Sequence, residues 1–133
     1  MSDFYEKIQQ TTQALKERDF SAIDLDFLVD EVEDMGKSEL RALKSMVNVL
    51  IEHRLKLLAK PDHIAVRRWK ITIENQMDGI KGILDDSPSL KNKLGKTILS
   101  EYSSARKKAM IALDVNIPQE CLFSEDDLLR DTD

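Results

Sequence analysis

With Cys121 as its single cysteine, the chain can form neither an intramolecular disulfide nor a multi-cysteine zinc site. Three prolines, four glycines and 5% aromatic residues are too few for many short strands linked by tight turns, and they favour helices. Long apolar runs are missing as well: stretches such as Met110–Leu113 fall far short of the roughly 20 residues a membrane helix needs. The opening MSDFYEKIQQ has neither the basic start nor the apolar run of a secretory signal. Together these absences lead to the expectation of a reducing cytoplasm and no membrane span.

What is present is aliphatic and charged. Hydrophobic residues at 41% and charged residues at 34% of a 133-residue chain suit one domain with a thin core and a wet exterior. A chain near this size buries roughly two-thirds of its unfolded surface. The net charge of −5 conceals segregation. Residues 17–34 hold eight acids against Arg18, residues 37–70 nine bases against three acids, and residues 91–108 six bases against Glu101. From Asp114 onward seven acids face only Arg130.

Apolar residues recur at three- and four-residue steps in four segments, the spacing of one helix face. Phe4, Ile8, Thr11 and Leu15 mark a short first helix. Leu25, Leu28, Val29, Val32, Met35, Gly36, Leu43, Met46, Val47, Leu50, Leu57 and Leu58 share a broad face that stays in phase across Gly36, so one long helix is expected from about Asp24 to Lys60, ended by Pro61. A third helix, capped by Asp62, should turn Val66, Trp69, Ile73, Gln76, Met77, Ile80, Ile83 and Leu84 inward. Ser87 and Pro88 should start a fourth, with Leu90, Leu94, Ile98, Tyr102, Ala105, Ala109 and Ala112 or Leu113 as its stripe. The expected fold class is therefore all-α: an antiparallel bundle of about four helices over residues 1–116, and an acidic C-terminal tail, 117–133, packed partly on it. Leu122 and Phe123 should pin the tail, and Ser124 should cap a last turn.

Clustered carboxylates in FLVDEVEDMGKSE suggest a metal site, because helical bundles bind metals in that way. However, Asp26, Asp30, Glu33 and Asp34 fall opposite the apolar stripe, and neither His53 nor His63 follows a Glu three residues earlier, so no metal ligand, catalytic residue or cofactor is assigned. Glu39 and Arg54 fall within the stripe and His53 at its edge, forming an inward polar cluster whose charges need partners. The expected arrangement pairs Glu39 with another helix and lets Arg54 reach the bundle end along its aliphatic stem. Two basic patches, Arg67–Arg68–Lys70 and Arg106–Lys107–Lys108, read as solvated faces or docks for the acidic tail. An acidic chain without stacking aromatics or a reading helix is a poor nucleic-acid binder.

Asp3-Phe4-Tyr5, Leu28-Val29-Asp30-Glu31-Val32-Glu33, Asp34-Met35-Gly36-Lys37-Ser38-Glu39, His53-Arg54-Leu55-Lys56, Trp69, Ile73-Glu74-Asn75-Gln76, Asp86-Ser87-Pro88-Ser89-Leu90 and Pro118 with Cys121 resemble, in order and spacing, a bacterial and largely cyanobacterial family: number 29 among the domain-of-unknown-function families. The chain departs from that pattern at Arg54, where Leu is usual. The resemblance implies an all-helical bundle in a bacterial cytoplasm and implies no activity.

The residues thus favour a small non-enzymatic interaction or structural module. Phe27, Ile64 and Ile71 fall outside the main stripes and mark a possible surface for a protein partner or a second copy. The alternative is a metal-binding protein or enzyme using Glu31, Glu39 and His53.

Overall fold

The computed structural model describes residues 3–132. They are all-α, with no strand among the described residues: α1 (Phe4–Lys16), α2 (Leu25–Ala59), α3 (Val66–Asp86), α4 (Lys91–Leu113) and α5 (Glu125–Leu128), joined by short 3-10 turns at Phe20–Ala22 and Pro88–Leu90. No helix among the described residues is long and apolar enough to cross a membrane. Two compact units divide the chain inside α2, one of Met1–Ser38 and one of Glu39–Asp133, and the tail falls within the second.

The first unit is a helical hairpin. Asp3 caps α1 by accepting the Glu6 amide at 2.9 Å, and Asp24 caps α2 by accepting that of Phe27 at 3.2 Å. Between them Arg18 takes a left-handed conformation, φ 56°, that lets the chain leave α1. Among the described residues of this unit only Ala14 and Ile23 are buried.

The second unit holds the core as a bundle of α2 from Glu39 onward, α3 and α4. Consecutive helices run antiparallel, as the pairing of Glu39 with Ser87 and of Arg54 with Met77 shows for α2 and α3. Leu43, Val47, Leu50, Ile51 and Leu55 meet Ile73, Met77 and Ile80 of α3 and Leu94, Ile98, Tyr102, Ala105 and Ala109 of α4. Each fully buried Leu or Ile contributes about 1.5–3 kcal/mol. Gly79 has a packing reason: a β-carbon there would stand 2.8 Å from the Met46 sulfur.

Several expectations are corrected. Asp62 does not cap the third helix, which begins at Val66; the His63 ring accepts the Ala65 amide at 3.0 Å and stacks on Trp69 at 4.7 Å, so a turn occupies the intervening residues. The Ser87 side chain does not cap α4, because its hydroxyl donates to Glu39 and Pro88–Leu90 closes as a 3-10 turn before α4 starts at Lys91; its backbone amide instead closes the end of α3 on the Ile83 carbonyl. Leu25, Val29, Val32, Met35 and Leu58 are exposed despite their place in the stripe. The tail is pinned chiefly by Ile117 and Leu128, both buried, and half-buried Phe123 packs against the core as expected, while Leu122 is exposed.

Candidate functional site

Glu39, His53 and Arg54 all lie on α2, but fourteen to fifteen residues of helix separate Glu39 from the other two, about 21–23 Å of axial rise. The structure gives each its own partner. Glu39 accepts the Ser87 hydroxyl at 2.7 Å. His53 places Nδ1 2.8 Å from the Val49 carbonyl of its own helix, which assigns the proton to Nδ1. Arg54 is buried; its Nε donates to the Leu128 carbonyl at 2.7 Å, and its Nη2 to the Arg130 carbonyl and, at 3.1 Å, to the Met77 sulfur. Burial, followed by the nearby Arg130 charge, holds its pKa below the ordinary arginine value.

A buried polar group absent from the sequence reading is Asn48. Its Nδ2 donates to Glu101 at 3.1 Å and to Ser104 at 3.3 Å, and its Oδ1 accepts Lys108 at 3.0 Å, so one amide is satisfied on both ends by α4. The signal was a second row on α2, Asn48, Ile51 and Leu55, beside Leu43, Val47, Leu50 and Arg54.

The tail is held by backbone oxygens. Arg106 Nε donates to the Ile117 carbonyl at 2.6 Å, and the Tyr102 hydroxyl to that of Pro118 at 2.9 Å. Burial raises the Tyr102 pKa, with the neighbouring Cys121 thiol as the second cause, which keeps the phenol protonated and donating. Ser124 and Asp127 form a reciprocal capping box at the start of α5. Where this segment meets α2, a cavity of about 350 Å³ is lined by Arg54, Leu57, Leu58, Leu122, Phe123, Asp127 and Arg130.

In the first unit, Phe27 lies edge-on to Phe4 with centroids 6.1 Å apart and takes the Lys7 ammonium on its face at 4.8 Å. A groove runs between Ile8, Thr11 and Leu15 of α1 and Leu28, Val32 and Met35 of α2, with half-buried Glu31 in its wall. Phe27 and Glu31 therefore belong to this unit, whereas Ile64 and Ile71, both exposed, belong to the second. No group of three or more His, Cys, Asp or Glu side chains among the described residues is arranged to hold a metal ion.

A family model for the domain of unknown function DUF29 matches residues 1–132. The chain belongs to the DUF29 family. No curated protein and no solved structure matches it. In this DUF29 chain two regions thus carry unusual chemistry for a small bundle: the uncovered hairpin of the first unit, and the cavity beside buried Arg54 in the second.

Proposed function

We propose that this DUF29 chain is a small non-enzymatic protein-interaction module, and that its N-terminal hairpin docks against the same hairpin of a second copy. One observation carries the reading: Leu25, Val29, Val32 and Met35 are 62%, 52%, 53% and 66% exposed. Apolar residues at this spacing mark the face a helix normally covers.

Charge placement favours a second copy in antiparallel alignment. Asp26, Asp30 and Glu33 flank the stripe on one side near the start of α2, and Lys37 follows on the same flank. Antiparallel stripes centred near Val32 bring the acids of one copy toward Lys37 of the other, whereas parallel stripes oppose acids to acids. Gly36 lies in the same row, and a β-carbon there would meet nothing within 4 Å, which leaves room for close approach. A bacterial cytoplasm is the setting proposed, in keeping with the lone Cys121.

Light scattering across a dilution series tests this directly. A dimer that dissociates on dilution, and a Val29→Asp/Val32→Asp variant that is monomeric with unchanged helix content, are the expected results. A chain monomeric at every concentration overturns the reading.

A further inference from the structure

Arg54 is a buried cation with no direct ion pair among the described residues, although the charges of Asp131 and Glu74 favour it. It is 9% exposed, its partners are two carbonyl oxygens and a thioether, and no carboxylate among the described residues forms an ion pair with it. Its Nη1 takes no partner among those residues, and the side chain lines the cavity between the end of α2 and the tail. The cavity contains one carboxylate, Asp127, which is already committed: it accepts the Ser124 amide at 3.2 Å and Arg130 Nη2 at 3.2 Å. Asp127 is therefore taken up by Ser124 and Arg130, and the Arg54 guanidinium, which Asp131 and Glu74 favour without an ion pair, has no carboxylate in contact with it among the described residues.

The remaining walls are apolar. Leu57 and Leu58 come from α2, Leu122 and Phe123 from the tail, and Leu58 and Leu122 are exposed at 63% and 43%, which places the opening on their side. At about 350 Å³ the space lies within the roughly 300–1,000 Å³ typical of small-molecule sites.

We infer that this cavity binds a small monocarboxylate with an aliphatic body, its carboxylate on Arg54 and its chain against Leu57, Leu58, Leu122 and Phe123. A guanidinium matches a carboxylate in shape and charge, and partial exclusion of water strengthens the pair. A neutral ligand forgoes a charge-assisted bond to Arg54, and a polyanion meets added repulsion from Asp131 and Glu74. The site lies in the second unit and does not rest on self-association of the hairpin.

Amide NMR titration of the full chain with hexanoate, hexanamide and acetate provides the test. Hexanoate should give saturable shifts at Arg54, Leu58, Leu122 and Phe123, and hexanamide should bind at least about tenfold more weakly, the equivalent of one charge-assisted hydrogen bond. Acetate, which lacks the chain, should also bind more weakly. Arg54→Met should abolish hexanoate binding, and so should Leu58→Glu, which alters only an exposed residue at the opening and leaves the fold intact should Arg54→Met unfold the chain. Absence of saturable shifts, equal binding of hexanoate and hexanamide, equal binding of hexanoate and acetate, or binding that survives Leu58→Glu would each overturn the inference.

Discussion

Residues 25–38 and 39–59 of α2 carry the same three- and four-residue apolar repeat, but only the second run is covered. Leu43, Val47 and Leu50 are wholly buried under α3 and α4, whereas Leu25, Val29 and Val32 stay more than half exposed in a unit with one other helix. Periodicity states that a helix has an apolar face. It does not state what covers that face, because cover depends on how many neighbours the topology supplies.

Paired substitutions sharpen the contrast, and the largest effect is expected from truncation. Leu50→Ala should cost about 2–5 kcal/mol in urea denaturation. Val29→Ala, measured at a dilution where the chain is monomeric, should stay within about 0.5 kcal/mol. Equal losses would show that the first run is buried after all.

Glycines give a smaller test. Gly82 in the second unit and Gly36 in the first both sit inside helices with nothing within 4 Å of an added β-carbon. Each change to Ala should add about 0.5–1 kcal/mol by thermal or urea unfolding. Gly79→Ala should gain less, since the Met46 side chain must move aside. A loss at Gly36 together with a gain at Gly82 would mean that α2 is interrupted there.

The smallest effect concerns acid. Hydrogen bonds from Ser124, its backbone amide first and its hydroxyl second, hold the Asp127 carboxyl below its ordinary value of 3.8. A carboxyl with a depressed folded-state pKa stabilises above the unfolded value, and that contribution disappears as pH falls through the folded one. Protection of the Leu128 amide, relative to the unfolded chain at the same pH, should therefore fall in the acid range below 3.8, and Ser124→Ala, which keeps the backbone amide and loses the hydroxyl, should weaken that pH dependence and lower protection at neutral pH.

The helices of the second unit were legible in the chain. Trp69, Ile73, Met77, Ile80 and Leu84 on α3, and Leu94, Ile98, Tyr102, Ala105 and Ala109 on α4, are buried as their spacing predicts, because each helix presents one main face to the core. On α2 the reading captured one row and missed Asn48, Ile51 and Leu55, since a helix touched by two neighbours has a face wider than one stripe. The tail was the least legible part. Its anchors Ile117 and Leu128 follow no period, and the partners that Arg54, Tyr102 and Arg106 find there are carbonyls, which every residue type possesses. The environment of Arg54 could be flagged as a charge needing satisfaction, but the cavity beside it depends on how the irregular segment folds back.

That clasp is indifferent to the lettering of the strap it fastens. Three long side chains seize main-chain oxygens at Ile117, Pro118, Leu128 and Arg130, which survive almost any exchange of the residues bearing them. Mutational drift can therefore repaint the rim of the opening at Leu122 or Arg130 without unbuckling the segment, whereas the grips at Arg54, Tyr102 and Arg106 have few substitutes.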